Sequence, residues 1–213
     1  LGLVGSEMCI RDRYNTVTVG GEFTFNGVMG YYLTSSNAFN YYGTMQYLKI
    51  LSTAKSLIEP VAKIGDKTYN TLEDAINAAQ KEAYPSAPQT PTVIELLKDT
   101  ESGFDIGVET GSIATYKCQN IVLNLNGHTL TLGHPPVGSS ATLKTNGLRI
   151  LPFSNLEITE GTINVDNDNV KIGIANYGTL SLTDVEVNVD DNVKYTINNR
   201  GDLTLNGSTK INN

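Results

Sequence analysis

The chain has 213 residues, of which 39% are apolar and only 17% charged, and its formal net charge is −7. That balance excludes the highly charged composition of disordered segments, and the lack of any Lys/Arg cluster excludes the basic footprint of a nucleic-acid binder. No apolar run reaches the roughly 18 residues of a membrane-spanning helix, and the length suits one sizeable domain or parts of two.

The opening stretch, LGLVGSEMCIRDR, differs in character from everything after it. Residues Leu3 to Arg13 back-translate to a sequence resembling a common transposon-based sequencing-library adapter, so residues 1–13 read as translated adapter and carry no fold information. Glu7, Arg11, Asp12 and Arg13 cancel, which leaves the charge of −7 to the rest of the chain. Cys9 also drops out. Cys118 is then the only cysteine, which rules out an intramolecular disulfide framework, and it reads as a small buried hydrophobe. The chain is expected to be truncated at both ends, so the missing signal peptide is uninformative about export.

Residues 14–59 include VTVGGEFTF from Val17, two short alternating strands around a glycine corner, and later TMQYLKILSTA, a strand-like run. The segment is expected to be the terminal coil and C-terminal cap of a preceding module, with a boundary near Ile58 to Pro60. The GGEF phrase at Gly20–Phe23 resembles the signature loop of diguanylate cyclases. Its neighbours alternate as a strand and no α/β nucleotide fold surrounds it, so no such activity follows.

From Pro60 the pattern changes. Ile64 to Tyr69 predicts a short hairpin around Gly65-Asp66. The spacing then predicts a helix over about 70–81: Asn70 or Thr71 as N-cap, Glu73 and Asp74 in the first turn, and Leu72, Ala75, Ile76 and Ala79 on one face. Such a helix suits the open apolar end of a stacked strand array, and the expectation is an N-terminal cap. KEAYPSAPQTP, with Pro85, Pro88 and Pro91, predicts a loop, and TVIELL the first strand beyond it.

The second half repeats itself. VKIGIANYGTLSL from Val170 returns as VKYTINNRGDLTL from Val193, matching Ile174 to Ile197, Asn176 to Asn199, Gly178 to Gly201, Leu180 to Leu203 and Leu182 to Leu205. LEITEGTINVD from Leu156 returns as LSLTDVEVNVD from Leu180, and both resemble LNLNGHTLTLG from Leu123. A unit of short strands of this length cannot bury its apolar face alone and must stack on its neighbours. Leucine-rich repeats are excluded because the return stretches are strand-like. Corners such as TEG, DND, NYG and NRG point to an all-β parallel β-helix.

PVAKIGDKTYNTLEDAINAAQ, PTVIELLKDT and NIVLNLNGHTLTL together resemble the start of right-handed parallel β-helix modules, pectate-lyase-like in fold, found in large surface proteins of gut bacteria. The resemblance covers Pro60 to Asn213. It implies a solenoid with a capping helix, and little about activity.

Few residues invite chemistry. Asp166, Asp168, Asp190 and Asp191 fall at equivalent corners one coil apart, so stacking would bring carboxylates within about 5 Å of each other. With Asn167, Asn169 and Asn192 they are candidate Ca²⁺ ligands, although Asp and Asn are also the ordinary corner residues. His128 and His134 lack a sequence neighbour at metal-ligand spacing and read as turn histidines. Lys171, Lys194 and Arg200 would suit a lyase base or a solvated basic column. Asn176 and Asn199 predict a ladder that satisfies turn backbone.

These readings lead to an expected function: a non-catalytic, adhesin-like surface scaffold of a secreted or wall-attached bacterial protein. Its expected partners are host or bacterial surface glycans or proteins, with no nucleic acid and no cofactor. It is expected to be monomeric, with neighbouring modules in the same chain. The alternative is a polysaccharide lyase or glycoside hydrolase on the same fold.

Overall fold

The computed structural model describes residues 59–138 and 143–212. The expected adapter at 1–13 and the expected preceding coil at 14–59 lie outside these residues, but for Glu59. The chain divides into two units, 1–59 and 60–213, and the second is described here by itself.

It is a β-solenoid of about four turns. The first level holds β4 (Thr92–Leu96), β5 (Thr100–Ser102) and β6 (Phe104–Ile106), and the second β7 (Lys117–Asn124), β8 (Thr129–Leu132) and β9 (Asn146–Ile150). The third holds β10 (Asn155–Val165) and β11 (Ile172–Asn176), and the fourth β12 (Thr179–Val189) and β13 (Tyr195–Asn199). β14 (Asp202–Asn206) and β15 (Lys210–Ile211) begin a further level on β12. From β4 onward every pairing between levels is parallel.

The register follows the repeats. Leu156 pairs with Leu180 and Ile158 with Leu182; one level on, Leu180 pairs with Leu203, Leu182 with Leu205, and Ile174 with Ile197. The period-2 alternation sends these side chains inward, and Ile158, Ile174, Leu180 and Leu182 are wholly buried. Each such burial contributes about 1.5–3 kcal/mol, so the stack of levels makes the core.

The corners are equally regular. Asn176 Nδ2 donates to Asn199 Oδ1 at 2.7 Å and to the Asp202 carbonyl at 2.8 Å, while its Oδ1 accepts from the Gly178 N–H at 3.1 Å. The predicted ladder is present, and it satisfies turn backbone that a buried corner would otherwise leave unpaired. Glycine is required beside it: a Cβ on Gly201 would lie 2.0 Å from the Gly178 carbonyl oxygen. At another corner Glu160, Asp184 and Gly207 share a left-handed backbone, with φ of 57°, 55° and 60°.

Before the coils, β1 (Ala62–Ile64) and β2 (Lys67–Tyr69) form the predicted hairpin, with Gly65 at φ 56°, and β1 pairs antiparallel with β4. The helix α1 runs over Leu72–Ala78, shorter than predicted. Thr71 is the N-cap, its Oγ1 accepting from the Asp74 N–H at 3.0 Å. The helix stops because Ala79 turns extended and Lys81 Nζ takes the Asn77 carbonyl, leading into β3 (Lys81–Ala83). That strand falls in the predicted loop. It pairs antiparallel with β7, a partner more than thirty residues away that local composition does not reveal.

Candidate functional site

β6 and β9 carry the same apolar-charged-apolar phrase with opposite charges: Phe104-Asp105-Ile106 and Leu148-Arg149-Ile150. Alternation turns the flanking side chains into the core and the middle ones to the outer face of the sheet, where parallel pairing sets Asp105 directly beside Arg149. Arg149 Nε donates to Asp105 Oδ1 at 2.8 Å and Nη2 to Oδ2 at 2.5 Å, a two-bond fork. Nη1 donates to Glu109 Oε2 at 3.1 Å. The arginine side chain is only 6% exposed, against 27% and 28% for its two partners.

Burial alone would lower the basicity of Arg149, but the two carboxylates outweigh it and hold the guanidinium above its ordinary pKa. Tyr116 is also pushed up, by loss of solvent and by its hydrogen bond to Glu109. The cluster staples the segment after β6 to the sheet, helped by the antiparallel bridge between Val108 and Lys117. Beside it opens a cleft of about 720 Å³ whose lining includes Glu73 and Asn77 of α1 together with Phe104, Asp105, Glu109 and Arg149.

Sequence reasoning missed this cluster. The opposite charges at matching strand positions were a usable signal, but the two residues stand 44 apart, against 23 for the later levels, because long connections separate β6 from β7 and β8 from β9.

The acidic corners are held one by one. Asp166 Oδ1 lies 2.9 Å from His134 Nε2, and Asp168 Oδ1 accepts from Asn192 Nδ2 at 2.6 Å. The Asp190 backbone closes the turn, its N–H donating to the Val165 carbonyl and its own carbonyl accepting from the Val193 N–H. Asp191 follows it in the same exposed corner. Among the described residues no three His, Cys, Asp or Glu side chains gather in a way that could hold a metal ion.

Both histidines have partners after all, supplied by other levels. His134 Nδ1 also faces Glu101 at 4.0 Å, and His128 Nδ1 lies 3.4 Å from Asp99. Lys171 Nζ caps the Asp168 carbonyl, Lys194 lies over the Tyr195 ring and Arg200 over Tyr177, so the basic residues are each engaged locally. Cys118 is fully buried, and burial pushes its thiol pKa up, away from the reactive thiolate.

Comparison with protein-family models, with curated proteins and with solved structures finds no match for this chain.

Proposed function

We propose that the unit from Pro60 onward is a non-catalytic, adhesin-like scaffold module of a secreted or wall-attached bacterial protein. In this reading the solenoid is a right-handed, pectate-lyase-like β-helix, α1 is its N-terminal cap, and its partners are surface glycans or proteins. One observation carries the proposal. The strongest charge cluster among the described residues is closed on itself: Asp105 uses both oxygens on Arg149, and Glu109 is taken by Arg149 and Tyr116. A general acid or base needs a carboxyl within reach of the proton it moves, and these are committed to neighbours. Against pectin-like and neutral polysaccharides the purified chain is expected to give neither unsaturated uronate absorbance nor new reducing ends, and to retain glycans on an array.

The cleft beside Arg149 favours the alternative, a lyase or glycoside hydrolase on the same fold. Turnover that disappears in Glu109→Gln, or in variants of Asp190, Lys194 or Arg200, would establish that alternative and overturn the scaffold reading.

A further inference from the structure

The turn that closes each level carries a column of side chains that the fold does not require. Phe153, Tyr177 and Arg200 each stand two residues before the register column Asn155–Thr179–Asp202, so they follow one another along the solenoid, one level apart. Phe153 is 50% exposed and Tyr177 37% exposed. Paired strands lie about 4.8 Å apart, so the column sets one planar group at each step of that length. Phe153 holds its place against the preference of its backbone. In the turn 151–154 the Ser154 N–H donates to the Leu151 carbonyl at 3.1 Å, with Pro152 second and Phe153 third. φ at Phe153 is 64°, the left-handed value that such a turn reserves for glycine or asparagine. A bulky aromatic residue is strained there, and a half-exposed ring recovers little of that cost through burial. Both rings are braced: Tyr84, just past β3, meets Phe153 edge-on with centroids 4.9 Å apart, and Arg200 lies over Tyr177 at 6.0 Å. The exposed charges beside the column balance, Lys117 and Arg200 against Glu82 and Asp202, so the column does not select a polyanion.

We propose that this column is a binding strip for an uncharged, β-linked glycan lying along the solenoid, with successive pyranose faces on Phe153 and Tyr177 and sugar hydroxyls taken by the Arg200 guanidinium. An equatorially substituted pyranose turns its axial C–H groups to the negative face of an aromatic ring, and an extended β-linked chain advances by close to one level per sugar. A polyproline strand, the other common ligand of exposed aromatic rows, advances about 3.1 Å per residue and falls out of step with the levels. The strip rests on the scaffold reading for its choice of partner and deepens it by naming the glycan class and the residues that hold it.

Isothermal titration calorimetry of the full chain with cellohexaose and with mannohexaose tests it. Binding to at least one is expected, weakened by about tenfold or more in Phe153→Gly and, separately, in Tyr177→Ala. Phe153→Gly is expected to keep or raise the melting temperature, because glycine suits that φ, so binding lost in this variant is not lost through unfolding. Binding that both variants leave unchanged overturns the strip, as does no binding to either hexaose or a preference for oligogalacturonate. The scaffold reading survives each of these results, with its partner held elsewhere or being a protein. New reducing ends from a chain whose binding depends on Phe153 and Tyr177 overturn the scaffold reading and leave the strip standing.

Discussion

The levels from β10 to β15 and those from β4 to β9 are held by different means. In the later half the same residue types recur at the same positions, and like stacks on like: Leu180 on Leu156, Leu203 on Leu180, Asn199 on Asn176. In the earlier half aliphatic residues still stack, Val93 on Val122 and Ile106 on Ile150, but the polar contacts join unlike residues and occur once each. Arg149 forks onto Asp105 across the sheet, and Gln119 takes the Gly107 N–H on its carbonyl while donating to the Ile76 carbonyl at the end of α1. A ladder distributes its stabilisation over many equivalent contacts. A staple concentrates it in one, and fails when either partner is removed.

The sharpest way to break the regular half is Leu182→Asp, which places an unpaired charge at a wholly buried position. A loss of at least about 4 kcal/mol is expected in chemical denaturation. In the irregular half Asp105→Ala leaves the buried Arg149 without its two-bond partner, and a loss of about 3–5 kcal/mol is expected. Asp105→Ala combined with Arg149→Met should recover much of that, since an apolar side chain replaces the stranded charge. If the single variant costs no more than a surface ion pair, the staple is not buried in solution.

Asn176→Ala, removing one rung of the ladder, should cost about 1–3 kcal/mol by leaving the Gly178 N–H and the Asp202 carbonyl without their side-chain partner. A smaller effect is expected in the alkaline range. The Cys118 thiol has a folded pKa raised above its ordinary 9.0, so the unfolded chain releases that proton first and stability falls as pH rises from about 9 toward the folded value. The thiol's part of the slope is at most about 1.4 kcal/mol per pH unit, and Cys118→Ala should remove that part, leaving the contribution of Tyr116 at higher pH. Least of all, millimolar Ca²⁺ should leave the melting temperature unmoved, because Asp166 and Asp168 are each held by a neighbour. A rise abolished by Asp190→Asn would instead reveal a cation at that corner.

The same contrast governs what could be read in advance. The parallel stacking, the inward leucines and the asparagine ladder were legible because a repeat writes each contact several times. The start of α1 was legible because Thr71 and Asp74 are three residues apart and interact locally. The partners of Arg149, His128 and His134 were not, and neither was β3, since each depends on a residue brought near only once the coils close. Such a partner sits one turn of the solenoid away, and the turn length varies where the sequence does not repeat.

That variation falls at two crossings: residues 107–116 join β6 to β7 where 151–154, 177–178 and 200–201 make the equivalent turn at later levels. Gly103 alone joins β5 to β6, residues 133–145 join β8 to β9, and residues 166–171 and 190–194 make the same crossing at the next two levels. Yet Leu148 still lies on Phe104, and Ile174 on Leu148. Connections of different length therefore keep the inward side chains in register, whereas one residue inserted within a strand would turn the core face to solvent. Change in length has two permitted addresses on this molecule, the crossings from β6 to β7 and from β8 to β9.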